Sequence, residues 1–137
     1  MKHYLMPCAL ILCLFFSILH GQVEMLIPDQ PEVIIVNTGE LDAFQNLEAG
    51  NYNKALDQFD QLLKERPDYV SALMGRAKSL FNLSKYQEAY DTYYKVLEKN
   101  PSDIYALEGL GNSALFLNQI DLALSHFNKA LNLKPDN

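Results

Sequence analysis

Side chains that could carry out chemistry are few and scattered in this 137-residue sequence. The histidines are His3, His20 and His126, and both cysteines, Cys8 and Cys13, lie within the first 21 residues. A zinc or haem site needs several convergent ligands, and His126 has no histidine or cysteine companion outside that first segment. We therefore expect no cofactor and no metal site, and we interpret His126 as a solvated residue of a helix.

Motifs of catalytic and nucleotide-binding sites are also missing from the sequence. It contains no GxxxxGK[ST], GxGxxG or GxSxG run, and Gly109 and Gly111 form only a GLG followed by asparagine. The acidic residues Asp57 and Asp60 have an i, i+3 spacing that is typical of solvated carboxylates on a helix surface. The sequence thus predicts a protein that is not an enzyme.

One modification motif is present, because Asn82, Leu83 and Ser84 form an Asn-x-Ser sequon. Such a sequon is an acceptor for N-glycosylation in secreted proteins of eukaryotes. The pattern around it predicts an exposed turn between two helices. A glycan on Asn82 is therefore expected in a eukaryotic host, and the motif has no meaning in a bacterial one.

The first 21 residues have the organisation of a secretory signal peptide. Lys2 precedes an uncharged run at residues 4–19, and a small residue, Gly21, follows at a suitable cleavage point. The run is shorter than the roughly 20 residues that a membrane-spanning helix needs, and Pro7 interrupts it. We predict cleavage after Gly21, which would place the protein in the periplasm, the secretory-pathway lumen or the extracellular space. An uncleaved membrane anchor is the alternative, and a lipoprotein signal fits less well because neither cysteine follows a pair of small residues.

Charge in the remaining chain is strongly acidic. Removal of residues 1–21 leaves ten basic and seventeen acidic side chains, and residues 24–48 contain six of the acids and no lysine or arginine. Such a surface repels phosphate backbones and anionic lipid headgroups, so we expect no nucleic-acid partner and a membrane contact only through an uncleaved signal. Without cysteines this part of the chain can form no disulfide, and its stability must come from packing.

From about residue 40 to the end, the sequence repeats with a period of 34. Seven columns align at this spacing: Ala43, Ala77 and Gly111; Tyr52, Tyr86 and Ile120; Ala55, Ala89 and Ala123; Phe59, Tyr93 and Phe127; Leu62, Val96 and Ala130; Leu63, Leu97 and Leu131; and Pro67, Pro101 and Pro135. The pattern predicts two amphipathic helices per period. Small residues would let the two helices approach, a ring would fill the space to the next hairpin, and proline would end the second helix.

These columns resemble those of the tetratricopeptide repeat family. The clearest copies read GNYNKALDQFDQLLKERPD, SKYQEAYDTYYKVLEKNPSD and NQIDLALSHFNKALNLKPDN. The resemblance implies an all-α fold, a short right-handed α-solenoid of three helix-turn-helix repeats over residues 39–137, at about 36–69, 70–103 and 104–137. Gly39 and Asp42 depart from the family pattern, so we expect the first helix to be shorter and more solvated than its counterparts.

Residues 22–38 lie between the predicted signal and the repeats. Pro28 and Pro31 prevent a regular helix there, and residues 33–36 form a short β-branched run. We expect an extended acidic leader. The alternative is that Val33, Ile34, Ile35 and Val36 bind in a groove of this protein or of a partner.

The resemblance also implies where a partner binds, because family members hold partners mainly in a concave groove lined by the first helix of each repeat. The matching positions of this sequence are Asn37, Glu40, Phe44, Leu47, Ser71, Met74, Lys78, Phe81, Tyr105, Glu108, Asn112 and Leu115. This mixed surface with little net charge suits an extended peptide or a helix.

Some family members bind a C-terminal carboxylate with a clamp of lysine and asparagine residues, and this clamp is absent here. Its positions hold Glu40, Phe44, Gly75, Tyr105 and Gly109.

We therefore expect a non-catalytic protein-interaction scaffold or adaptor that acts outside the cytosol. The first alternative is the substrate-recognition part of a larger secreted or lumenal enzyme or co-chaperone. The second is a membrane-tethered assembly factor with an uncleaved signal.

The last hairpin is expected to expose apolar surface, because arrays of this family usually finish with a polar capping helix. Phe127, Ala130 and Leu131 occupy columns that pack toward the following unit in the first two repeats. We expect this end to self-associate, or else to be covered by a partner helix or by a continuation of the chain.

Overall fold

A computed structural model describes residues 18–19, 22–25 and 34–134, which form three short strands and six helices. The strands are β1 (Ile18–Leu19), β2 (Gln22–Met25) and β3 (Ile34–Asn37). The helices are α1 (Thr38–Glu48), α2 (Tyr52–Glu65), α3 (Val70–Asn82), α4 (Tyr86–Lys99), α5 (Ile104–Phe116) and α6 (Ile120–Leu133). The second helices of the three hairpins begin 34 residues apart, so the predicted all-α repeat fold is confirmed.

The strands were not predicted. They form an antiparallel sheet in the order β1-β2-β3, in which Val23 pairs with Val36. Internal contacts divide the chain into Met1–Gly39, which holds this sheet, and Glu40–Asn137. The backbone of the predicted leader is extended in β2 and β3, but it is paired within the sheet. Val33 and most of the predicted signal peptide, including Gly21, lie outside the described residues.

The two helices of each repeat are joined by the same turn. Its left-handed position is not among the seven columns aligned in the sequence. Gly50, Ser84 and Asn118 have positive φ angles of 79°, 62° and 60°. In each turn the next residue donates its N–H to a carbonyl five residues earlier, as Lys85 does to Leu80 at 2.9 Å. A left-handed residue with this hydrogen bond is a Schellman motif, which ends a helix and reverses the chain. The three turns therefore share one backbone geometry, although the left-handed residue is of a different type in each.

Between repeats, the chain turns at proline, as predicted. Arg66 and Asn100 precede Pro67 and Pro101 and have non-helical backbones, with φ of −134° and −135°. A proline ring disfavours helical geometry in the residue before it, so α2 and α4 end at these points. Pro135, the third proline of the column, lies outside the described residues.

Successive hairpins are packed together by an aromatic ring that lies on a glycine. A Cβ atom built on Gly75 would lie 2.2 Å from Cζ of Phe59, and one built on Gly109 would lie 2.4 Å from Cζ of Tyr93. Both rings are buried, so neither can move aside easily. The predicted place of the rings between hairpins is confirmed. The glycine column was missed because the first repeat has Leu41 there, a side chain that is 51% exposed.

The ring of the third repeat is placed differently. A Cβ atom on Gly111, in the same hairpin, would lie 2.5 Å from Cε1 of Phe127. Because the two earlier repeats have alanine in the Gly111 column, only Phe127 can lie this close to its own first helix. Phe127 is therefore half-buried and Ala130 is buried, and the expectation that both would be exposed with Leu131 is correct only for Leu131.

The first helix of the array is the weakest part of the repeat unit. It has 11 residues where α3 and α5 have 13, and its only buried residue is Ala43. Phe44 partly covers the core of this repeat by an edge-to-face contact with Phe59, with ring centroids 5.0 Å apart. The helix is thus shorter and more solvated than its counterparts, as predicted.

His126 is not a solvated residue, contrary to the prediction. Its Nε2 atom lies 3.0 Å from the hydroxyl oxygen of Tyr90, a residue of α4 in the preceding repeat. The two rings are also in edge-to-face contact. Burial lowers the pKa of His126, and the charge of Lys129 lowers it further. Since the partner is 36 residues away in sequence, local spacing could not reveal it.

Arg76 and Asp60 form an ion pair that was not predicted from the sequence. Nε of Arg76 lies 2.6 Å from Oδ1 of Asp60, and its Nη1 donates to Oγ1 of the buried Thr92 at 2.7 Å. These contacts join α2, α3 and α4. The guanidinium therefore satisfies a buried hydroxyl and holds two hairpins in register.

Replacement of Gly109 by alanine tests the ring-on-glycine contact. Alanine favours a helix over glycine by about 1 kcal/mol, so a site with free space would be stabilised. Here the added methyl group meets the Tyr93 ring, and we expect Gly109→Ala to lower the free energy of unfolding by about 1–3 kcal/mol. Urea unfolding of the single variants and of Gly109→Ala with Tyr93→Leu forms a double-mutant cycle. A Gly109→Ala chain that is more stable than the parent would contradict the packing described.

Stability should fall in acid through His126. Because folding lowers its pKa, the unfolded chain binds a proton more readily, and stability must rise with pH. This contribution is fully present above the ordinary pKa of about 6.5 and is lost as the pH falls through the lower folded value. We expect His126→Gln, which keeps a hydrogen-bonding partner for Tyr90, to lose less stability than the parent between about pH 7.5 and about pH 5 in urea unfolding. Equal losses in the two chains would show that His126 does not control this titration.

Candidate protein-binding groove

The first helices of the three repeats present the predicted groove residues on neighbouring helices. Helices α3 and α5 contact one another directly, and Oγ of Ser71 donates to the Glu40 carboxylate of α1 at 2.5 Å. Side chains of one 34-residue column therefore lie beside each other. The nine principal groove residues are Phe44, Leu47, Met74, Lys78, Phe81, Tyr105, Glu108, Asn112 and Leu115.

Helix α5 contributes the most accessible part of this surface. Tyr105 is 72% exposed and Leu115 is 43% exposed, and Asn112 lies exposed between them along the helix. Their spacings of seven and three residues put all three on one helix face. This face offers a ligand an aromatic ring, an amide and an aliphatic side chain within about three helical turns.

Lys78 of α3 adds the positive charge of the groove. It is exposed, it shares a column with Asn112, and its ammonium group forms no ion pair with any residue in the described part of the chain. Glu108 differs, because Nζ of Lys134 lies 2.6 Å from its Oε1. The groove thus presents a cation that has no ion-pair partner among the described residues beside an acid that is already paired.

Four groove residues mostly cover the core and present only an edge to solvent. Phe44 and Leu47 pack against the cluster around Phe59, and Met74 and Phe81 pack against the cluster of the second repeat. All four are half-buried. A column in the sequence predicts the direction of a side chain but not its depth, so this difference from Tyr105 could not be foreseen.

At the other end of the groove, Glu40 is held by hydrogen bonds. The hydroxyls of Tyr69 and Ser71 both donate to its carboxylate, and the guanidinium carbon of Arg66 lies 3.8 Å from the centroid of the Tyr69 ring. Burial raises the pKa of Tyr69, and the Glu40 carboxylate raises it further. Glu40 is therefore a fixed acceptor site. The side chain of Asn37 lies outside the described residues.

Asn82 of the sequon is accessible, although it is not itself in the turn. It is the last residue of α3, and its Nδ2 donates to the backbone carbonyl of Lys78 at 2.8 Å. Ser84 occupies the left-handed position of the turn that follows. Glycosylation of Asn82 stays a prediction, and it would require the amide to leave this exposed hydrogen bond.

One exposed aromatic residue beside the groove, Phe116, was not predicted from the sequence. Its ring stacks on Tyr86 with centroids 4.5 Å apart, and it meets the edge of Phe81 at 5.4 Å. The Phe116 column holds Glu48 in the first repeat and Asn82 in the second, so the 34-residue period gives no signal for it. Only the chemical type of the residue could have indicated it.

The described residues contain neither a metal-binding cluster nor a membrane-spanning helix. Within 18–19, 22–25 and 34–134, no three His, Cys, Asp or Glu side chains converge to hold a metal ion. In the same part of the chain, no helix has the length and apolar character needed to cross a membrane.

Comparison with protein families identifies the repeats. Two models described as tetratricopeptide repeat match residues 46–104 and 104–137, which together make up more than half of the chain. No curated protein matches the sequence.

Solved structures of the same fold are similar to this chain at low sequence identity. The first TPR of Spaghetti (RPAP3) bound to HSP90 peptide SRMEEVD has a TM-score of 0.69 at 21% identity, covering 72% of this chain and 79% of that one. The second TPR of Spaghetti, bound to the same peptide, has a TM-score of 0.68 at 18% identity, covering 71% of this chain and 90% of that one. MamA MSR-1 C2 has a TM-score of 0.66 at 20% identity and covers 70% of this chain, which spans only 55% of that longer one. With its 34-residue period, its helical hairpins and both family matches, the chain belongs to the tetratricopeptide repeat family.

Proposed function

We propose that this protein is a non-catalytic scaffold that holds another protein in the groove formed by α1, α3 and α5. The observation that carries the proposal is the exposed quartet Lys78, Tyr105, Asn112 and Leu115 on the first helices. Large exposed rings and aliphatic side chains beside fixed polar groups are typical of protein-binding surfaces. The family of the repeats supports the same role.

The ligand best suited to the quartet is an extended peptide or a helix. Tyr105 can anchor an apolar side chain, Asn112 can pair with a backbone amide, and Lys78 can bind an acidic side chain. One structural neighbour, the first TPR of Spaghetti, is bound to HSP90 peptide SRMEEVD, so the fold is compatible with a short acidic peptide.

Recognition of a free C-terminal carboxylate is not part of the proposal. Gly75 and Gly109 stand at two of the positions where clamp-bearing family members have polar side chains. Each of these glycines is packed against a buried ring that leaves no space for a Cβ atom. We therefore propose a ligand that is recognised through an internal segment, with an acidic residue near an apolar one.

The place of action that we propose is outside the cytosol. Support comes from the order of charge, apolar run and small residue in residues 1–21. Mass spectrometry of the N-terminus after expression in a secreting host tests this directly. A chain that begins at Met1 would point instead to the membrane-tethered alternative.

Removal of the quartet's apolar side chains should abolish binding without unfolding the protein. We expect Tyr105→Ala with Leu115→Ser to weaken ligand binding by about thirtyfold or more, since an aromatic anchor is commonly worth about 2 kcal/mol. The ligands are peptides selected on the purified chain from a displayed random library, and proteins cross-linked to it in its own compartment. Dissociation constants are measured by calorimetry.

Tyr94→Ala is the matched control for this test. Tyr94 is also an exposed tyrosine, but it lies on α4, outside the α1, α3 and α5 surface. The Tyr94→Ala chain should bind the ligand with the affinity of the parent. Circular dichroism should show equal helicity in the parent, the quartet variant and this control. If the quartet variant retains full affinity, the groove is not the binding site, and the β-branched segment at residues 33–36 becomes the next candidate.

A further inference from the structure

The turn between α3 and α4 is covered by a stack of two aromatic rings. Phe116 of the following repeat lies on Tyr86, the first residue of α4, with ring centroids 4.5 Å apart and an angle of 14° between the ring planes. The hydroxyl of Tyr86 donates to Oγ of Ser84, the left-handed residue of the turn, at 3.3 Å. The Tyr86 ring is therefore held at one end by its own turn and covered on one face by the next repeat.

The turn between α1 and α2 has the same tyrosine but lacks the covering ring. Tyr52 is one period earlier than Tyr86, and its hydroxyl oxygen lies 4.0 Å from the position that a Cβ atom on Gly50 would take. Both tyrosine hydroxyls thus lie beside the left-handed residue of their turn. The residue one period earlier than Phe116 is Asn82, whose side-chain amide is bonded to a carbonyl of its own helix. No ring of the described residues stacks on Tyr52.

An open cavity of about 470 Å³ lies at this uncovered tyrosine, and we call it the Tyr52 cavity. Its lining includes two residues with large apolar side chains, Tyr52 and Leu83, and three polar residues, Asn51, Asn53 and Lys54. Ligand sites in proteins usually have volumes of about 300–1,000 Å³. The Tyr52 cavity is therefore large enough for an aromatic residue together with its neighbours in a peptide.

We infer that the Tyr52 cavity binds an aromatic side chain of a partner protein, which stacks on Tyr52 as Phe116 stacks on Tyr86. Stacked ring pairs are favourable beyond the apolar area that they bury. The array supplies this ring itself at the second turn, and the partner supplies it at the first. The cavity is separate from the exposed quartet of the groove, so the inference does not rest on the proposed function.

The charge beside the cavity indicates that an acidic residue accompanies the ring. At the covered turn, the ammonium group of Lys85 and the carboxylate of Glu88 lie 4.0 Å apart and balance each other. The same two positions hold Asn51 and Lys54 at the open turn. Lys54 is exposed, and its ammonium group forms no ion pair with the residues at 18–19, 22–25 and 34–134. One positive charge is thus left beside the Tyr52 cavity.

The ring and the charge have different roles in this recognition. An exposed ion pair adds little to affinity, so the stacked ring supplies most of the binding. The charge of Lys54 selects among aromatic ligands, because a basic neighbour of the ring would be repelled. The segment that fits the cavity is therefore an aromatic residue followed or preceded by an acidic one.

Fluorescence of a tryptophan peptide tests the site, because the chain itself contains no tryptophan. The probe is the capped peptide Gly-Trp-Glu-Gly, and the purified 137-residue chain is titrated into it up to about 1 mM. We expect the indole emission to shift to shorter wavelength as the ring is buried. Tyr52→Leu should weaken binding at least about fivefold, since it removes one ring pair, and Tyr52→Phe should bind as the parent does.

Asn82→Phe is a second variant, which places a ring where the third repeat has Phe116. This ring should fill the Tyr52 cavity, abolish binding of the probe and raise the urea concentration at the midpoint of unfolding. Glu48→Phe is the matched control, because it makes the same kind of change in the same column one repeat earlier, and it should leave binding unchanged. Tyr105→Ala with Leu115→Ser should also bind the probe as the parent does, which separates this site from the groove.

Reversal of the charge tests the acidic neighbour. The parent should bind Gly-Trp-Glu-Gly more tightly than Gly-Trp-Lys-Gly, and Lys54→Glu should reverse this preference. Circular dichroism checks that every variant is folded. The inference is overturned if the parent binds neither peptide at about 1 mM, or if Tyr52→Leu or Asn82→Phe binds with the affinity of the parent. An unchanged preference in Lys54→Glu would overturn the assignment of an acidic neighbour.

Discussion

The packing of an aromatic ring onto a glycine of the next hairpin is the constraint on which the rest of the array depends. Phe59 lies on Gly75 and Tyr93 lies on Gly109, at distances that exclude any Cβ atom. A glycine inside a helix costs about 1 kcal/mol relative to alanine, whereas full burial of a large ring is worth about 1.5–3 kcal/mol. Ring burial therefore outweighs the loss of helix propensity, and the glycines are tolerated in the middle of α3 and α5 because of it.

This contact also limits which side chains of the proposed groove could meet a ligand. Helices α3 and α5 use their glycine column to receive the preceding ring, so polar side chains for the proposed ligand would have to come from other columns, such as those of Lys78 and Asn112. The apolar groove residues are divided in the same way. Met74 and Phe81 pack against the core beside the glycine, while Tyr105 and Leu115 remain accessible to a partner. Packing between hairpins and the proposed binding of a ligand thus use the same helices.

The fold was predictable from the sequence because its determinants recur every 34 residues, and chance does not reproduce three columns of alanine, ring and proline. Features confined to one repeat gave no such signal. Arg76 reaches Asp60 and Thr92 on two other helices, and His126 reaches Tyr90 in the preceding repeat, so neither pair is local in sequence. The groove itself stays a prediction, whereas the burial of Phe44 and the pairing of Glu108 depend on neighbours from other helices and could not be read from the sequence. The strands β2 and β3 were missed because proline and acidic residues nearby suggested only an unpaired leader.

The two ends of the array depart from the repeat at the positions where the ring-on-glycine contact would continue. Leu41 stands in the glycine column of the first repeat, so α1 is not shaped to receive a ring. In the third repeat, Gly111 replaces the alanine of its column, and the Phe127 ring lies closer to its own hairpin. A ring packed against α1 as Phe59 packs against α3 would meet the Leu41 side chain. The change at Gly111 partly buries a ring that would otherwise protrude, and it leaves aliphatic side chains as the main exposed part of α6.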